Sequence, residues 1–279
     1  MPSRAGQDCG PETGVAAEVL ASTEVPASTD MLSHTEKVMG TVVSFTVVPG
    51  ELPVPAARLA IAGACRILHQ ADAVFSTWDP GSPVSRLRRG EVPLHAMPAE
   101  VAEVLSLCRM AKQASGGWFD PWALPGGVDP TGLVKGWAVE RAAGRLRQAG
   151  LAAALVNGGG DLTCFGSPGP GRQWRIGVRH PWRADALACV ISPRAAMATS
   201  AGYERGAHLI SPASGRPATG VASATVTGPS LAMADALATA VAAGGDDALA
   251  AVAMVKEYEA YLIRADASEA DTGGIDFVR

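Results

Sequence analysis

One continuous stretch limits what this chain can fold into more than any other. Val128–Gly160 reads VDPTGLVKGWAVERAAGRLRQAGLAAALVNGGG. Asp129 is placed as a helix N-cap, and Pro130 follows at the first helical position, where its missing N–H leaves no bond unmade. Val134, Ala138, Ala142, Leu146 and Ala149 then recur at helical spacing, and Gly150 supplies the stop. Leu151–Val156 is an apolar run suited to a buried strand. Asn157-Gly158-Gly159-Gly160 lets the backbone turn through positive φ or lie close to a ligand. A cap, a glycine and Lys135 at one helix mouth make an anion site. The plainer alternative is a structural cap beside a solvated lysine.

With 279 residues the chain can bury a large core in one domain or two. A formal net charge of −4 without a basic cluster argues against a nucleic-acid surface. No apolar run approaches the roughly 20 residues of a membrane helix. The five cysteines, Cys9, Cys65, Cys108, Cys164 and Cys189, form no C-x-x-C pair and have no histidine at zinc spacing, so they read as reduced core thiols of a cytoplasmic protein. The first thirty residues lack a basic start, and Glu18 interrupts VAAEVLA, which argues against a leader. Residues 1–34 are expected to be a disordered tail with Met31 as an alternative start, 35–265 the folded domain, and 266–279 a frayed end.

Along the chain, Val38–Val48 is predicted as a first strand entered through Gly40, and Val54–Phe75 as a long helix. His69 belongs on that helix's solvent boundary, with no second metal ligand on its face. Phe75-Ser76-Thr77-Trp78-Asp79-Pro80 is a turn whose indole either stacks on an aromatic ligand or covers the core. Pro98–Ala114 is a second helix, with Val101, Leu105, Cys108 and Ala111 on one side. Trp118-Phe119-Asp120-Pro121-Trp122 is the densest aromatic cluster, and the short link 123–127 holds it near Asp129. Leu162–Phe165, Trp174–Val178, Ala186–Ile191, Ala207–Ile210 and Val221–Thr227 are strand-like runs of an antiparallel meander. Ser230 is placed to cap a helix over LAMADALATAVAAGG; Asp246 opens another, and Tyr258–Ile263 is a last strand. Strands and helices mix without strict alternation, which predicts an α+β fold.

Asp235 and Thr239 are four residues apart and share a helix face, offering the carboxylate and hydroxyl oxygens that Mg²⁺ prefers; a carbonyl from a glycine turn would add a third ligand. The alternative is an acid favoured by the helix dipole and a buried threonine bonded to its own helix. His208 is the first candidate for proton transfer, or else a hydrogen-bonded core residue. Thr199-Ser200 offers small hydroxyls for phosphate. G-x-S-x-G, G-x-G-x-x-G and P-loop patterns are absent.

In order, these motifs resemble the ApbE family of FAD:protein FMN transferases. The match runs through Met39-Gly40-Thr41, Phe75-Ser76-Thr77-Trp78 with Ser82, Phe119-Asp120-Pro121, Val128-Asp129, Lys135-Gly136-Trp137-Ala138 and Asn157-Gly158-Gly159. It continues through Thr199-Ser200, Tyr203-Glu204-Arg205, His208, Pro212 with Gly215, Thr225-Val226 and Ala234-Asp235-Ala236-Leu237-Ala238-Thr239. The resemblance implies two fused T-fold-like modules, with mixed, largely antiparallel sheets and flanking helices. It implies an FAD site lined by Met39, Trp78, Trp118, Phe119, Asp120, Asp129, Lys135 and His208, and Mg²⁺ held by the Gly132 backbone, Asp235 and Thr239. The implied reaction cleaves the FAD pyrophosphate, releases AMP and passes FMN to a Thr or Ser hydroxyl of an acceptor flavoprotein. His208 would be the base, and Asp235 would be catalytic as a metal ligand. The alternatives are FAD pyrophosphatase activity giving FMN and AMP, and a flavin-binding protein without turnover. The chain departs from the family pattern in the short 123–127 link, in Ser211 where an Asp is usual, and in Ala201-Gly202 before Tyr203.

Overall fold

The computed structural model describes residues 31–123, 126–201, 212, 215 and 217–278. The chain opens with an antiparallel hairpin, β1 (Leu32–Val38) and β2 (Thr41–Val48), in which Val38 faces Thr41. A single strand over Val38–Val48 is therefore corrected to two. Met39 and Gly40 both adopt positive φ, 55° and 68°, as a tight two-residue hairpin turn with right-handed strand twist requires.

Helix α1 (Val54–Phe75) follows, then the short α2 (Pro83–Arg88), α3 (Ala99–Ala114) and α4 (Thr131–Gln148). After them come β3 (Ala153–Gly158), β4 (Asp161–Phe165), β5 (Ile176–His180), β6 (Arg183–Ile191) and β7 (Ala196–Ala201). The last described elements are β8 (Val221–Gly228), α5 (Leu231–Val252), β9 (Glu259–Arg264) and β10 (Glu269–Asp271). Eight strands form one antiparallel sheet in the order β1-β2-β3-β4-β7-β8-β9-β10, while β5 and β6 form a separate hairpin. This is the α+β architecture of largely antiparallel strands with flanking helices that the sequence predicts.

Strand periodicity explains the two cores. From β2 and β3, Val43, Phe45, Val47, Ala154 and Val156 face α1, α3, α4 and α5 in the larger core. The alternate residues Val48, Ala153 and Leu155, with Leu162, Cys164 and Met197, form the second core with Trp174, Ile176, Val178 and Ile191 from the β5–β6 hairpin and its approach. Because β3 is covered on both sides, it reads as an unbroken apolar run. Strand β7, AMATSA, carries no such signal in its small and polar residues. It is held by ladders to β4 and β8.

One boundary matches the sequence prediction and one chain end differs from it. The run from Leu231 to Val252 is helical on both sides of Gly245, whose φ of 58° and ψ of −131° break it where the Gly-Gly pair predicts a boundary. Beyond Ala265, where fraying is expected, β10 pairs with β9, Ser192 N donates to Asp276 O at 2.9 Å, and Val278 N donates to Val190 O at 2.8 Å. These bonds cover backbone groups that a free end would leave to solvent. No helix among the described residues is long and apolar enough to cross a membrane.

Candidate functional site

The site forms where the N-terminal halves of α4 and α5 cross above one end of the sheet. Gly136 makes the crossing possible: a Cβ there would lie 2.5 Å from Leu231 O and 2.9 Å from Asp235 Cβ. Its N–H, which in a regular helix serves the Gly132 carbonyl, donates to Asp235 Oδ2 at 3.0 Å. Asp235 is 4% exposed, and Asp161, the first residue of β4, is 1% exposed beside it. Burial raises the Asp235 carboxyl well above its usual 3.8, and the charge of Asp161 pushes the same way. The Lys135 ammonium and the Gly136 N–H pull it back.

Asp161 ties three elements together. One oxygen is ion-paired with Lys135 of α4, and Oδ1 accepts from Thr199 N of β7 at 3.0 Å. Thr199 Oγ1 lies 2.9 Å from Thr225 Oγ1, and Ser200 Oγ lies 3.4 Å from Thr239 Oγ1. Thr239 also approaches Gly132: a Cβ on that glycine would stand 3.5 Å from Thr239 Oγ1 and 3.2 Å from Phe119 Cε2. Gly132, Lys135, Asp235, Thr239 and Phe119 are therefore brought together around one seam.

The glycine turn belongs to the same end of the sheet. Gly160 N donates to Asn157 Oδ1 at 2.8 Å, and a Cβ on Gly159 would meet Thr41 Oγ1 at 2.6 Å. The β3–β4 turn therefore lies against the start of β2, next to the turn that carries Met39. Met39 N is fixed by Asp72 Oδ2 at 3.3 Å. Trp78 resolves its two alternatives in favour of a free surface: it is 95% exposed and covers no core.

The remaining residues of the predicted flavin site have structural partners of their own. Trp118 sits over Gly244, where a Cβ would fall 2.4 Å from its indole. Asp120 pairs with Lys112 at 2.7 Å and accepts from Trp122 N at 3.0 Å. Asp129 accepts from Thr131 N and Oγ1 at 3.1 and 2.7 Å and pairs with Arg88 at 3.3 Å; the helix begins at Thr131 with Pro130 at its N-cap position, so the expected cap moves on by one residue and Asp129 serves the first helical N–H from just outside the helix. Asp129 N bonds Pro121 O at 2.9 Å, which confirms that the short link folds the aromatic cluster onto the helix start. Ser230 occupies the N-cap position of α5 as expected, but its side chain bonds no helix N–H. Its hydroxyl donates to Glu140 Oε2 at 2.9 Å, and the same carboxylate accepts from Ala232 N at 3.2 Å.

His208, Tyr203-Glu204-Arg205 and Ser211 lie outside the described residues, as does the expected strand Ala207–Ile210. Asp161 and Arg88 are the residues that the sequence did not single out. An acid directly after a triple glycine and before an apolar run was a usable signal for Asp161; Arg88 had none.

Two buried carboxylates, a threonine hydroxyl and a nearby backbone carbonyl form a hard oxygen set. One ammonium leaves that pair short of positive charge, so the donor chemistry fits a small divalent cation.

The ApbE family model matches residues 39–126 and 123–262. Curated proteins named FAD:protein FMN transferase align over part of the chain. That of Rhodobacter capsulatus is 33% identical over 129 residues, 43% of this chain and 24% of its own length. That of Vibrio cholerae serotype O1 is 32% identical over 148 residues, 49% of this chain and 44% of its own. The aligned region thus spans less than half of these relatives. Among solved structures, the flavin transferase ApbE from Vibrio cholerae superposes with a TM-score of 0.74 at 21% identity, covering 89% of this chain and 97% of that one. The ApbE protein from Thermotoga maritima does so with 0.74 at 21%, covering 86% and 96%. With a family match over most of its length and a shared fold, the chain belongs to the ApbE family.

Proposed function

We propose that this chain is a flavin transferase that cleaves the FAD pyrophosphate, releases AMP and passes FMN to a Thr or Ser hydroxyl of an acceptor flavoprotein. The observation that carries the proposal is the buried Asp161–Asp235 pair beneath the start of α4, balanced by Lys135 and the Gly136 N–H. A site that stores negative charge under a helix N-terminus is suited to a cation shared with phosphates.

In this reading Asp235, Thr239 and the Gly132 carbonyl hold Mg²⁺, which supplies Lewis-acid stabilisation of the charge on the phosphates. Lys135, anchored by Asp161, and the N–H groups at the start of α4 orient the pyrophosphate. Asp120 and Asp129 contact the dinucleotide from their fixed positions beside the helix mouth. Met39, Trp118, Phe119 and the exposed Trp78 hold the rings. His208 takes the proton from the acceptor Oγ as that oxygen forms its bond to phosphorus. The four cysteines within the described residues are free thiols, which supports a reducing, cytoplasmic compartment.

The test is incubation with FAD, Mg²⁺ and a threonine-containing acceptor peptide, read by mass. A gain equal to FMN, lost in Asp235→Ala, is expected. Free FMN and AMP with an unmodified peptide would make the protein a pyrophosphatase; no FAD cleavage at all would leave only flavin binding.

A further inference from the structure

Away from that seam, four donor-bearing side chains from two elements meet at the outer edge of the sheet. His34 and Glu36, two residues apart on β1, point to the same side of the strand. Cys65 and His69, four apart on α1, share one helix face. Glu36 lies between them: Oε1 is 2.9 Å from His69 Nε2, and Oε2 is 3.3 Å from His34 Nε2. The Cys65 thiol faces the same carboxylate from α1. Ligand atoms of His34, Glu36 and Cys65 lie within 4.8 Å of one another, the one such group of three among the described residues. The absence of a second ligand for His69, expected from its helix alone, is thereby corrected; the partners arrive from β1 and from one turn earlier on α1.

We infer that His34, Glu36, Cys65 and His69 form a transition-metal site for a borderline divalent ion of the zinc type, clamping the edge strand β1 to α1. Thiolate, imidazole and carboxylate are the three donor types that zinc takes, and four of them close a tetrahedron. With bonds of about 2.0–2.3 Å, tetrahedral ligand atoms stand about 3.3–3.8 Å apart. To reach that range the ligand atoms of His34, Glu36 and Cys65, within 4.8 Å of one another, and His69 Nε2, 2.9 Å from Glu36 Oε1, must shift toward a common centre. The thiol forms the buried floor and both imidazoles are solvent-exposed, so an ion has a path in. His34 is steadied by its ring contact with Phe45 at 5.9 Å. The metal-free cluster is a carboxylate bonded to two imidazole rings beside a buried thiol. Burial and the Glu36 charge push the Cys65 thiol up to about 11, so it is protonated until an ion arrives. Binding then forms the metal–sulfur bond and releases the thiol proton to solvent. The softer donor set separates this site from the all-oxygen set at Asp235.

The test uses the full chain, stripped with chelator, in a Cys9→Ser background, titrated with Co²⁺ in excess Mg²⁺. One equivalent of Co²⁺ is expected to give a sulfur-to-cobalt charge-transfer band with tetrahedral visible absorption, and Zn²⁺ should displace it. Cys65→Ser should abolish the band, and His69→Gln should weaken binding by at least about tenfold. Cys108→Ser should change neither. If Cys65→Ser does not fold, His34→Gln with His69→Gln, both on exposed side chains, should remove the site. Absence of the band in the parent, its persistence in Cys65→Ser or in the double histidine variant, or unchanged affinity in His69→Gln would overturn the proposal.

Discussion

Gly136 N donates to Asp235 Oδ2 at 3.0 Å although the two residues are 99 positions apart in the chain. The bond fixes a carboxylate on α5 against the backbone of α4, and glycine is required because the helices touch there.

Gly136→Ala tests that contact. The added Cβ would meet Leu231 O at 2.5 Å, a backbone atom that cannot rotate away, so the helices must part. A loss of about 1–3 kcal/mol in urea denaturation is expected, together with most of the proposed transfer activity. Unchanged stability would show that the seam is loose.

Asp235→Asn tests the buried charge. Because the folded-state carboxyl titrates above its usual 3.8, the folded protein binds the proton more tightly than the unfolded chain. The stability from this group is fully present at low pH and is lost as pH rises from about 3.8 through the raised value, at up to about 1.4 kcal/mol per pH unit. Melting temperatures of the metal-free protein should therefore fall more steeply with pH than those of Asp235→Asn, and Mg²⁺ should narrow the difference. Parallel curves for the two proteins would count against this sign.

Trp78→Ala separates binding from folding. An indole that is 95% exposed supports nothing, so stability should move by less than about 0.5 kcal/mol. FAD affinity, read by quenching of flavin fluorescence, should weaken by up to about tenfold. Full retention of affinity would remove Trp78 from the proposed flavin site.

Glu140→Ala should destabilise more than Ser230→Ala, by about 1–2 kcal/mol in urea. Glu140 accepts both the Ser230 hydroxyl and the Ala232 N–H, whereas Ser230 serves no helix N–H. The reverse order would make the Ser230 hydroxyl, not Glu140, the group that holds the start of α5.

Much of the candidate site's local geometry was legible. Asp235 and Thr239 are one helical turn apart, and the Asp129 turn, the glycine turn and the aromatic cluster are local patterns. Asp161 was not, because its role depends on Lys135 from α4 and Thr199 from β7 arriving at the same point. Strand β7 was invisible because its small, polar residues owe their conformation to the ladders on either side.

The sequence by itself determined the helices α1, α3 and α4, the buried strand β3 and the break at Gly245, since each follows from spacing or φ preference within a few residues. Only the tertiary structure decided which carboxylates share a pocket, which acid caps α5, and that His69 meets Glu36. Periodicity is set by neighbours along one element, whereas a partner across the fold depends on how whole elements are registered against each other, and no local pattern encodes that.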